Sequence, residues 1–110
     1  MADLVIKAGI CGYSTRVHSE STPNYTVTLT IESDCPSMRR LAEAVREVDP
    51  MREFSYRGEG PQITAEARRL LPHPACVVPA GLIKAVEAAA GLALPADVEI
   101  RFLAPNPEEK

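Results

Sequence analysis

Four residues of this chain have the types and settings to do chemistry: Cys11, Cys35, Cys76 and His73. Cys11 stands in Gly9-Ile10-Cys11-Gly12, just after an alternating apolar run. Cys35 stands in Ser33-Asp34-Cys35-Pro36, between a strand-like run and a helix-like one. His73 and Cys76 form a His-x-x-Cys pair ahead of Val77-Val78-Pro79, where the most apolar helical stretch begins. The N–H groups at a helix start and the positive end of its dipole favour negative charge, which for a cysteine means thiolate. Thiolate is the form that binds metals and attacks electrophiles. Three cysteines with a histidine make a Cys₃His zinc set. Three cysteines with an open position suit a reactive metal or an iron–sulfur cluster. Thiolate-rich sites select soft or borderline metals over magnesium or calcium.

Three readings stay open. The first is a metal or cluster site made by Cys11, Cys35 and Cys76 with His73 as fourth ligand. The second is a metal-free enzyme or redox protein with Cys35 or Cys76 as thiolate nucleophile and His73 as base. In the third, all three thiols are small buried hydrophobes of a structural or interaction domain, a common fate for free cysteine. Against the third, none of the three occupies an apolar position of a periodic stripe. Against the first, the chain has no Cys-x-x-Cys pair, and Asp34 beside Cys35 is unfavourable to a thiolate unless its carboxylate turns away. An odd number of cysteines without an export signal argues against a disulfide framework.

The elements that position these residues can be read from hydrophobic period. Leu4, Ile6 and Ala8 alternate with Val5 and Lys7, a short strand with one strongly apolar face that ends at the two glycines around Cys11. Thr15, Val17 and Ser19 alternate with Arg16 and His18, a more polar strand expected at a sheet edge, with His18 exposed. Ser21-Thr22-Pro23-Asn24 is turn chemistry. Tyr25, Val27, Leu29 and Ile31 then define the clearest strand, paired with the previous one as an antiparallel hairpin. Met38, Leu41, Ala42, Val45 and Val48 recur at helical spacing until Asp49-Pro50, with Pro36 at the first helical position. Phe54 and Tyr56 suggest a short strand, and Gly58 to Pro61 a loop. Ile63, Ala67, Leu70 and Leu71 mark a second amphipathic helix. Pro79 to Gly91 is a third, apolar around most of its circumference and therefore the core helix, with Gly91 as its C-terminal cap and Pro95 beyond. Val98, Ile100 and Phe102 alternate with Glu99 and Arg101, a last strand.

The order β-β-β-α-α-α-β predicts an α+β fold: two layers, a mainly antiparallel sheet with helices on one face. Residues 1–104 read as a single domain, and 105–110 as a frayed tail. At 110 residues and 45% hydrophobic content the chain can bury one real core. A net charge of −3 gives no reason to expect nucleic acid, and Arg39-Arg40 and Arg68-Arg69 read as solvated helix faces. No apolar run reaches the ~20 residues of a membrane span, and the first residues lack the pattern of a signal peptide, so a cytoplasmic location is expected. The small core and the expected edge strand at residues 15–20 would admit a homodimer. Lys84 and Glu87 read as a solvated pair one turn apart. No phosphate loop, catalytic triad or carboxylate dyad stands out, and Gly58-Glu59-Gly60 is too generic to mean nucleotide binding.

With these residues in view the chain resembles a family of short uncharacterised proteins, a domain of unknown function found largely in anaerobic bacteria and archaea. The shared marks are Ala8 to Gly12, Ile31 to Pro36, His73-x-x-Cys76-x-Val78-Pro79, and Ile83 to Glu87 continuing to Gly91 through Pro95. Val77 stands where the resemblance leads one to expect proline, which removes no candidate ligand. The resemblance implies a site but no activity. An anaerobic setting would favour an oxygen-sensitive cluster over zinc.

Overall fold

A computed structural model describes residues 1–104; the tail expected to fray, 105–110, lies outside them. Three long strands, β1 (Ala2–Lys7), β2 (Ser14–Ser21) and β3 (Val27–Ser33), and a two-residue strand β4 (Glu47–Val48) form one antiparallel sheet in the order β1-β2-β3-β4. Four helices accompany it: α1 (Pro36–Ala44), α2 (Pro50–Glu53), α3 (Gln62–Leu70) and α4 (Val78–Ala89). The fold is α+β, as the grouping of strands before helices predicts.

The period-2 pattern decides which face is covered. Leu4 and Ile6 of β1, Val17 of β2, and Val27 and Leu29 of β3 point to the helices, while Asp3, Val5, Arg16 and Glu32 face solvent. α4 lies across β1, β2 and β3, α1 packs on β3, and α3 packs on α1 and α4. The interior is built around Met38, Leu41, Val45, Ile63, Leu82 and Val86, all buried. The core helix is the one expected. Its C-terminus closes with Gly91 in the left-handed region (φ +75°), the Gly91 N–H donating to Ala88 O and the Leu92 N–H to Glu87 O. That double bond is the Schellman cap, which only a residue free of a Cβ adopts cheaply.

Five expectations need correction. β2 is an interior strand, not an edge: it pairs with β1 from Ser14 to Ser19 and with β3 from Thr15 to Ser21. Its polar inward residues are tolerated because each finds a partner. Thr15 donates to Ser33 Oγ at 3.0 Å, and the fully buried Ser19 donates to Ala85 O of α4 at 2.9 Å. The first long helix ends at Ala44, before Val48, because β3 captures the following backbone: the Leu29 N–H donates to Arg46 O, and Val27 and Thr28 pair with Val48 and Glu47. Val45 and Val48 are buried by either backbone, so the apolar pattern could not reveal the change. Phe54 and Tyr56 form no strand. The Met51 N–H donates to Asp49, which caps α2, and Phe54 is the exposed C-cap residue just after that short helix. Finally, Val98, Ile100 and Phe102 pair with nothing among the described residues and are exposed. Tyr25 also leaves its expected strand for the β2–β3 turn, at φ +62°.

Candidate functional site

Cys11 sits in a tight turn that closes the β1–β2 hairpin. The Gly12 N–H donates to Gly9 O at 2.9 Å and the Ala8 N–H to Tyr13 O at 3.1 Å, with both glycines at positive φ. The turn holds Cys11 and Ile10 out in solvent.

Cys35 is the N-cap residue of α1, in extended conformation, and its sulfur caps nothing. Its backbone is fixed instead: the Cys35 N–H donates to Ser33 Oγ, which also accepts from Thr15. Asp34 turns away into solvent toward Arg39, 3.8 Å from its guanidinium, while Arg39 Nε donates to Ser33 O. The unfavourable carboxylate beside Cys35 thus has a cation of its own.

Cys76 lies two residues before α4, half-buried, and like Cys35 it packs against the edge of the core. His73 is exposed between Pro72 and Pro74. All three thiols are free.

The topology brings the segments carrying these residues to one end of the sheet. α4 runs alongside β2 in the same direction: its first turn meets β1 where Gly81 abuts Ile6, Ala85 O accepts from Ser19, and Ala89 O accepts from Ser21. Ile6 pairs with Thr15, and Thr15 with Ser33, so the start of α4, the β1–β2 turn and the end of β3 share one end of the molecule. The side chains themselves do not close on one point. Among the described residues, no group of three or more His, Cys, Asp or Glu side chains is arranged to hold a metal ion.

Two features escaped the sequence reading. Glu53 is buried, 1% exposed, and its two oxygens accept from the Gln62 N–H at 2.7 Å and the Ile63 N–H at 2.8 Å. It supplies the N-terminal cap that Pro61 cannot give α3. The only sequence signal was a glutamate nine residues before a helix that lacked an Asn, Asp, Ser or Thr cap. The second is the solvent face of the sheet, where a shallow depression of about 400 Å³ is lined by Asp3, Arg16, His18, Thr30 and Glu32 among others. His18 Nδ1 lies 2.7 Å from Asp3 and Nε2 3.2 Å from Glu20. The hydrogen bond to Asp3, then that to Glu20, raise its pKa above the ordinary 6.5. Strand alternation alone sets Asp3, Arg16, His18 and Glu32 on this face, but not the pairing of Asp3 with His18.

Lys84 is exposed and Glu87 half-buried, one turn apart on α4. No helix among the described residues is long and apolar enough to cross a membrane.

No curated protein and no solved structure matches the chain. One family model does, over residues 2–102, which takes in every strand and helix together with Cys11, Cys35, His73 and Cys76. The chain belongs to that family, the family of unknown function DUF6951.

Proposed function

We propose that this protein binds a zinc ion or an iron–sulfur cluster at the end of the sheet bearing Cys11, Cys35 and Cys76, with His73 as fourth ligand. One observation carries the reading: three segments remote in sequence, each with a free cysteine, lie at the same end of the fold. The donor set fits the chemistry. Three thiolates and an imidazole satisfy zinc, and three thiolates leave a cluster iron one position for another ligand. Cys35 and Cys76 rest on the core edge, whereas Cys11 and His73 are on exposed chain, so the first two would fix the site and the others would complete it. When bound, the metal would offer Lewis acidity or electron transfer, and the protein's role would be to bind, carry or sense it.

The test is the metal and acid-labile sulfide content of protein purified without oxygen, beside a Cys11→Ser, Cys35→Ser, Cys76→Ser triple variant. Near-stoichiometric zinc, or iron with sulfide, lost in the folded variant is the expected result. A folded, anaerobically prepared protein free of both would overturn it. A single thiol reacting far faster than the other two would then favour the nucleophile reading at Cys35 or Cys76.

A further inference from the structure

The strand-like run after α4 is the least explained feature of the fold. Val98, Ile100 and Phe102 alternate with Asp97, Glu99 and Arg101, yet all six are exposed and none is paired into the sheet among the described residues, with Phe102 almost entirely exposed. Arg101 Nε donates to Glu99 Oε1 two residues away, and two residues is the spacing at which side chains share one face of a strand. At the other end of the molecule's needs, β1 is an edge strand with one row of backbone groups unpaired and its apolar Leu4 and Ile6 only half-covered. A bare edge is a template for another strand.

We propose that two copies of this chain exchange these segments, residues 97–102 of each adding antiparallel to β1 of the other. Register supports it. Setting Phe102 opposite Ala2 places Ile100 opposite Leu4 and Val98 opposite Ile6 on the helix-covered face. The same alignment sets Arg101 opposite Asp3 and Asp97 opposite Lys7 on the solvent face. Phe102, Ile100 and Val98 each meet an apolar residue on the covered face, Val5 lies opposite Glu99 on the solvent face, and both charged pairs are complementary, an arrangement that stabilises cross-strand pairs. The parallel alignment that keeps all three apolar pairs sets Glu99 opposite Asp3, two like charges.

Chain reach decides between one copy and two. The Ala93 N–H is still bound to Glu87 O at the end of α4, level with the far end of β2 near Glu20 and Ser21. Lys7, the partner required for Asp97, pairs with Ser14 at the near end. The gap along β2 is roughly 20 Å, at ~3.4 Å per strand residue. Four residues from Ala93 to Asp97 span at most ~14 Å. The antiparallel alignment is therefore closed to a chain's own β1 and open to a second copy. Gly91 and Pro95 lie between α4 and the exchanged strand, where a hinge for such exchange belongs.

The experiment is sedimentation of the full chain over a dilution series, with three variants. Wild type should show a concentration-dependent dimer. Ile100→Asp, which alters a side chain exposed in the protomer, should abolish it with the helical and strand signal unchanged. Lys7→Asp should weaken the dimer roughly tenfold by placing like charges opposite at both symmetric sites, and Lys7→Asp with Asp97→Lys should restore it. A wild-type chain that stays monomeric at sub-millimolar concentration overturns the proposal. So does a dimer indifferent to Ile100→Asp, or one that the charge exchange fails to restore.

Discussion

Replacing Glu53 tests how this fold completes a helix that lacks its own cap. Both carboxylate oxygens are committed to successive backbone donors, Gln62 N and Ile63 N, in a setting only 1% exposed. Glu53→Ala strands both donors. A buried unsatisfied N–H costs about 1–3 kcal/mol. Ile63 is fully buried, so its N–H should sit toward the upper end, whereas Gln62 is half-buried and water can reach its amide. The cavity left by the side chain adds to this, and relief of the buried charge subtracts. The net loss should be about 3–4 kcal/mol, a large share of the ~5–15 kcal/mol that stabilises a typical domain. Glu53→Gln keeps the shape and one acceptor oxygen but turns an NH₂ toward the second donor, and should cost about 2 kcal/mol. Urea unfolding followed by circular dichroism reads both. With a slope of ~2 kcal/mol per molar, the alanine variant should lower the midpoint by about 1.5–2 M. A loss below about 1 kcal/mol for alanine, or a glutamine variant as stable as wild type, would refute the view that both oxygens hold the start of α3.

Two further outcomes follow from contacts elsewhere in the sheet. A Cβ at Gly81 would lie 2.4 Å from Ile6 Cδ1 and 2.9 Å from its Cγ1. Overpacking there costs ~1–3 kcal/mol and helix propensity returns ~1, so Gly81→Ala should destabilise by up to about 2 kcal/mol. Adding Ile6→Val removes the clashing methyl, so the double variant should be more stable than the sum of the single losses by at least ~0.5 kcal/mol; simple additivity would contradict the contact. His18 should titrate above its unfolded value of 6.5, held up first by Asp3 and then by Glu20. Its stabilising contribution is then full below pH ~6.5 and fades as pH rises through the folded pKa. Proton NMR of the ring should show that value falling further in Asp3→Asn than in Glu20→Gln, and an unmoved titration in Asp3→Asn would discredit the pairing.

The parts of the fold legible in the sequence are those where local pattern and tertiary demand coincide. α4 is the clearest case: Pro79, an apolar run and Gly91 each specify the same helix, and the Gly91 cap forms as its residue type dictates. β2 shows the converse. Its Thr15 and Ser19 look like surface residues because composition records polarity, not satisfaction. Once Ser33 Oγ and Ala85 O accept their hydroxyl hydrogens, those positions are buried without penalty and the strand can lie inside the sheet. The α1 boundary was hidden for another reason. Val45 and Val48 are buried whether the backbone is helical or extended, and only β3, remote in sequence, decides between the two.

The same distinction governs the candidate site. That each cysteine adjoins the end of a strand or the start of a helix was legible, because glycine, proline and apolar period mark those ends locally. That the three ends share one side of the fold depends on the direction of α4 across the sheet, which is set by Gly81 against Ile6 and by Ser19 and Ser21 beneath Ala85 and Ala89. Nothing in the spacing of Cys11, Cys35 and Cys76 encodes that direction. Had α4 crossed the sheet the other way, Cys76 and His73 would lie beside the β2–β3 turn, a strand's length from Cys11 and Cys35, and no shared ligand would be conceivable. Gly81, small enough to let the helix settle on Ile6, and Ser19 and Ser21, which donate to its carbonyls, therefore fix which end of the sheet the start of α4 occupies. On the proposed metal reading, substitutions that tilt α4, such as Gly81→Val, should lower the metal content of the purified, folded protein although no proposed ligand is changed.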